Sequence, residues 1–199
     1  MCKHRIFKIW ISVCVFLWVM SNTLSFSTTS SRELTIVYSG NTLGELKPCG
    51  CAKEEVQGGF ERRSTYIKQV FKDSRNTLLV DTGDNFKEAS TQGKIKARYI
   101  MQAMSQFNYD AVILGDKDLL YGESFLNNHM PFPWLLSNAE LVKMSPPKTR
   151  IKTLENGLTV AILALIDPDL YYGTKHSGGN ITDPKETPKT LIKQLTTSK

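Results

Sequence analysis

Short apolar runs and amphipathic stretches alternate along most of this chain. Leu34 to Tyr38 is a continuous apolar run bounded by polar residues, the pattern of a buried strand, and Thr77 to Val80 and Ala111 to Leu114 repeat it. Between them, Gly59 to Val70 has helical spacing, with Tyr66, Ile67 and Val70 on one side, and Ile95 to Phe107 predicts a second helix. Further on, the pattern predicts a short helix over Gly122 to Asn128 and a short strand over Trp134 to Ser137. A hairpin-like pair, Thr149 to Leu154 and Leu158 to Ile166, follows around Asn156-Gly157, and a last helix covers Pro188 to Leu195. Strands alternating with helices point to an α/β fold, a layered mixed β-sheet with flanking helices. Pro146-Pro147 and Gly178-Gly179-Asn180 read as surface loops.

The first residues follow a different pattern. Lys3, His4, Arg5 and Lys8 form a basic stretch, and Ile9 to Met20 is an apolar run of about a dozen residues, the length of a secretory signal core and short for a bilayer span. Ser25-Phe26-Ser27 offers small residues at the −3 and −1 positions of a cleavage site. The expected organisation is therefore a signal peptide over 1–27 and one domain over 28–199. The protein is expected to be exported, periplasmic or extracellular, free of the membrane after cleavage and anchored to it if the signal stays. Loss of residues 1–27 removes Lys3, Arg5 and Lys8 and no acids, so the formal charge falls from +6 to about +3. No arginine-rich face with interleaved aromatics is present, which argues against nucleic-acid binding.

Cys2 and Cys14 belong to the signal, leaving Cys49 and Cys51 in a Lys47-Pro48-Cys49-Gly50-Cys51 turn. A disulfide across so short a ring is strained and easily reduced, and two thiolates alone fall short of a structural zinc set. Three readings of the pair stand: a local or partner-directed disulfide, two free thiols, or a soft-metal pair.

Ligand groups in such sheets collect at the loops leaving the carboxyl ends of the strands. Ser39 to Leu46, Asp81 to Phe86 and Gly115 to Gly122 are three such loops, each rich in Gly, Asp or Asn, the composition a hard divalent cation uses. The ordered set Gly58-Gly59-Phe60-Glu61-Arg62-Arg63, Asp81-Thr82-Gly83-Asp84 and Tyr109-Asp110-Ala111-Val112-Ile113-Leu114-Gly115 through Tyr121-Gly122 resembles the calcineurin-like metallophosphoesterases, closest to their secreted 5′-nucleotidase branch. Trp134-Leu135-Leu136-Ser137-Asn138-Ala139 and Val160-Ala161-Ile162-Leu163-Ala164-Leu165 extend the likeness.

The resemblance implies a two-metal phosphoesterase site, yet the ligands it calls for are mostly replaced. The family's first aspartate falls on Asn41 and its histidine on Leu43. Asp84, implied to bridge two metals, is kept; an Asn-His pair becomes Asp116-Lys117, and the following glutamate becomes Asp118. The family's remaining ligand histidines are expected beyond the last helix, so the resemblance implies a degenerate, C-terminally shortened member. A two-metal centre holds its cations roughly 4 Å apart and relies on imidazole and carboxylate ligands to fix each shell. His129 and His176, the histidines outside the signal, lie in loops apart from the motifs.

The candidate metal ligands are Asp84, Asn41 and Asp116. The candidate phosphate-binding cations are Lys117, Arg62 and Arg63, with Lys117 also positioned to neutralise Asp84 and Asp116 in a cation's place. Three functions follow as expectations. The first is a 5′-nucleotidase-like exported protein with no hydrolytic activity of its own and no cofactor. The second is a phosphoesterase acting on nucleotides or related phosphate esters with a divalent cation (Mn, Mg or Zn). The third is a thiol redox or metal-relay module built on Cys49 and Cys51.

Overall fold

The computed structural model describes residues 33–48, 58–129, 132–169 and 180–197, which belong to one unit, Arg32–Lys199. Residues 1–32, which include the expected signal peptide, and Cys49, Cys51 and His176 lie outside the described residues. Four strands form the main sheet: β1 (Thr35–Ser39), β2 (Thr77–Asp81), β3 (Ala111–Ile113) and β4 (Trp134–Leu135), parallel throughout and in the order β1-β2-β3-β4. Helix α1 (Phe60–Asp73) connects β1 to β2, and α2 (Thr91–Ser105) connects β2 to β3. A 3-10 turn over Lys117–Tyr121 and the short helix α3 (Glu123–Asn127) lie between β3 and β4. Among the described residues, antiparallel pairing is confined to two small ribbons, β5 (Ala139–Glu140) with β8 (Asn180–Ile181) and β6 (Arg150–Thr153) with β7 (Thr159–Ile162). Helix α4 (Glu186–Thr197) is the last element.

Successive strand residues point to opposite faces, and the two faces bury against different partners. Val37, Leu79 and Val112 join Phe60, Ile67, Ile100, Met101 and Met104 of the helices in the main core. Ala111 and Leu135 on the other face meet Ala164, with Val80, Ile113 and Ile162 packed around them.

Three sequence expectations change. Tyr66 does not share the buried side of α1: it is 64% exposed, while Phe60 and Ile67 carry the buried stripe. The β1 run is buried only through Val37; Ile36 and Tyr38 are 55% and 75% exposed, because they point to the opposite face, where the smaller core includes no β1 residue among those described. Helix α2 begins at Thr91, four residues before the expected Ile95, since the Ser90 hydroxyl accepts the Gly93 N–H at 2.9 Å and caps it.

The apolar run after Leu158 also leaves the sheet early. Beyond Ile162 its backbone bonds to side chains instead of a strand: Ala164 N–H donates to Ser137 Oγ at 2.8 Å and Ile166 N–H to Asn138 Oδ1 at 2.9 Å. These bonds draw the 164–167 segment over the carboxyl ends of β3 and β4, beside the loops that form the site.

Candidate functional site

The loops after β1 and β2 are zipped together by their backbones. Thr82 N–H donates to Ser39 O at 2.7 Å, Asn41 N–H to Gly83 O at 2.9 Å, Leu43 N–H to Asp84 O at 3.1 Å and Gly44 N–H to Asn85 O at 2.9 Å. Holding this zipper requires left-handed backbone at Asn41 (φ 50°), Leu43 (φ 48°) and Asp84 (φ 58°). A leucine in that region is strained, so the surrounding bonds must fix it there. The third loop comes in equally close. A Cβ on Gly115 would lie 2.4 Å from Asp84 Oδ1, and one on Gly83 would lie 2.8 Å from Ile113 O.

Two buried carboxyls hold the frame. Asp81 accepts from Ser39 Oγ at 2.6 Å and from Gly83 N–H and Asn85 Nδ2, both at 2.9 Å. Asp118 accepts three backbone N–H groups, from Asp84 at 3.0 Å, Asn85 at 2.9 Å and Gly115 at 3.1 Å, and so ties the second loop to the third. Burial pushes the Asp118 carboxyl up to about 8, against the backbone N–H bonds, which favour its charged form.

Arg63 turns into this frame. Its Nη1 lies 3.9 Å from Asp81 Oδ2, Nη2 donates to Thr42 Oγ1 at 2.9 Å, and the guanidinium sits 4.7 Å over the Phe60 ring. It balances a buried acid. Arg62, its neighbour in sequence, is exposed. The Tyr109 hydroxyl completes the group, 2.7 Å from Ser39 Oγ, and burial raises its pKa.

At the mouth of the three loops the Asp84 and Asp116 carboxyls are close enough to act on each other. Burial first, and then Asp116, raises the Asp84 pKa; the Lys117 N–H, donating to Asp84 Oδ1 at 3.3 Å, and the Lys117 charge oppose the rise. A cavity of ≈160 Å³ opens here, with Asp84, Asp116 and Asp167 on one part of its wall and Leu119, Leu165 and Ile166 on another. Asn41, Lys117, Arg62 and Arg63 lie outside its lining.

Sequence reasoning missed Asp167 and misread the parts that Asp81 and Arg63 play, Arg63 being expected to bind phosphate. Asp167 stands just past an apolar run, where ligand groups collect, and that position was its signal. Asp81 was legible as a loop residue but not as the acid that Ser39 and Asn85 satisfy, and Arg63 gave no sign that it faces inward. His129 is elsewhere, its Nδ1 2.6 Å from Phe125 O and its ring 4.4 Å from the Phe125 ring.

No family model matches the chain. Over 118 residues it is 31% identical to the snake venom 5′-nucleotidase of Naja atra, a match that covers 54% of this chain and 22% of that protein. The Crotalus adamanteus snake venom 5′-nucleotidase is 28% identical over 117 residues, 54% of this chain and 20% of that one. Among solved structures, a 5′-nucleotidase precursor from Thermus thermophilus matches with a TM-score of 0.66 at 23% identity, over 83% of this chain and 35% of that one. A calcineurin-like phosphoesterase from Bacillus subtilis matches at 0.61 and 21%, over 83% and 58%. The solved structures show that the chain has the calcineurin-like phosphoesterase fold. It spans about a fifth of the length of the curated relatives it matches.

The resemblance implies a two-metal centre, so the donor set must be able to hold cations if the chain works in that way. The acids at the loop mouth are Asp84, Asp116 and Asp167, and the positions implied for imidazole carry Leu43 and Lys117. Leucine offers no lone pair, and a charged ammonium repels a cation. Among the described residues, no group of three or more His, Cys, Asp or Glu side chains is arranged to hold a metal ion. Among the described residues, the side chains at these loops do not make up the ligand set of a two-cation centre.

Proposed function

We propose that this is an exported, 5′-nucleotidase-like protein with no hydrolytic activity of its own, a phosphoesterase frame whose reactive centre has been replaced by protein groups. Leu43 and Lys117, where the resemblance implies imidazole ligands, carry the proposal. Lys117 supports it too: its positive charge acts on Asp84 in the sense a cation would, and opposes the rise in that group's pKa caused by burial and Asp116. Export rests on the basic stretch and apolar run of residues 3–20 and the small residues Ser25 and Ser27. No described helix is long and apolar enough to cross a membrane.

The test is phosphate release from AMP and from p-nitrophenyl phosphate by the purified chain with Mn²⁺, beside an Asp84→Ala control. The expected rate equals that of the control. Release above the control that is lost on adding a chelator overturns the proposal in favour of a metal-dependent phosphoesterase.

A further inference from the structure

The sheet end opposite the loop cluster carries a larger concavity. A cleft of ≈500 Å³ opens where α1, the residues just after α2 and strand β6 meet, within the size range of small-molecule sites. Phe71 and Phe107 give it aromatic walls: Phe71 is 39% exposed, and Phe107, half-buried, stacks on Phe60 at 5.9 Å.

Its charge is uneven. Asp110 lies in the lining but is fully used, pairing with Lys152 Nζ at 2.7 Å and accepting the Leu79 N–H at 2.8 Å. Lys152 Nζ also donates to Thr77 O at 3.1 Å, which pins its ammonium in the cleft. With Asp110 and Lys152 neutralising each other, Lys68 remains, an exposed lysine with no ion pair among the described residues. The Asn108 side-chain amide adds donor capacity in a turn fixed by its left-handed backbone, φ 55°. An aromatic-walled cleft with a surplus cation and its acid already engaged favours a planar ring that bears a negative charge.

We propose that this cleft is a binding site for a small aromatic anion, with the ring on Phe71 and Phe107 and the anionic group on Lys68. The cleft shares no lining residue with the cavity at the loop cluster, and the proposal stands whether or not that cluster hydrolyses anything.

The test titrates the full chain with anilinonaphthalene sulfonate, a fluorescent aromatic anion, and with phenylnaphthylamine, its uncharged relative. The expected result is saturable binding of the sulfonate at one site. Lys68→Gln weakens the sulfonate about fivefold, the scale of one partly exposed charge contact, and leaves the neutral dye unchanged. Phe71→Ser weakens both dyes. Both substitutions are at exposed positions, and unchanged melting curves by circular dichroism confirm that the fold survives; should Phe71→Ser melt early, Lys68→Gln alone decides. Equal sulfonate affinity in Lys68→Gln and the parent chain, or binding that never saturates, overturns the proposal.

Discussion

Asp118 is the residue on which the loop cluster most depends. Its raised pKa means that between about pH 4 and pH 8 the unfolded chain has lost this proton while the folded chain keeps it. The folded state then binds more protons, so this group's contribution to stability falls as pH rises through that window and is flat below it. Asp118→Asn removes the titration and weakens the three backbone bonds. The expected outcome in melting curves from pH 4 to 8 is a lower melting temperature throughout, with a flatter pH dependence than the parent. A variant that keeps the parent's slope would assign the slope to another carboxyl.

Lys117 makes a second prediction at the same scale. If its charge holds Asp84 and Asp116 together, Lys117→Met lowers stability at neutral pH by about 1 kcal/mol, or a few degrees for a domain of this size. Added Mn²⁺ then raises the melting temperature of the variant more than that of the parent. An unchanged melting temperature with and without Mn²⁺ counts against the charge-substitute role.

Among elements, the contact that matters is the approach of the β3 loop to the β2 loop. Gly115 is required by space alone, since a Cβ there meets Asp84 Oδ1 at 2.4 Å and Asp84 N at 2.8 Å. Gly115→Ala is expected to cost about 2 kcal/mol through forced separation of the loops, read as a lower urea midpoint with unchanged slope. An equivalent change at Gly157, which has open space around its Cβ position, tests backbone strain without a clash. The element pattern was largely readable in advance because each main strand is a short apolar run and each long helix has an amphipathic face. What failed was local: the start of α2 depended on one serine cap, and the end of β7 on the side chains of Ser137 and Asn138, to which apolar periodicity is blind.

For the whole molecule, the parallel order β1-β2-β3-β4 places three loops at one end of the sheet, while the aromatic-walled cleft lies at the other. The loop end is a frame kept by backbone bonds and two buried carboxyls, which accounts for its persistence alongside a leucine and a lysine at implied ligand positions. Sequence by itself determined the strand and helix run, the family likeness and the identity of each candidate ligand, because these are properties of residue type and spacing. Only the tertiary structure decided which acids are satisfied internally, that Arg63 faces Asp81, and that Asp167 joins Asp84 and Asp116 around one cavity. Those facts depend on through-space distances between segments up to 83 residues apart, from Asp84 to Asp167, and no local pattern encodes them.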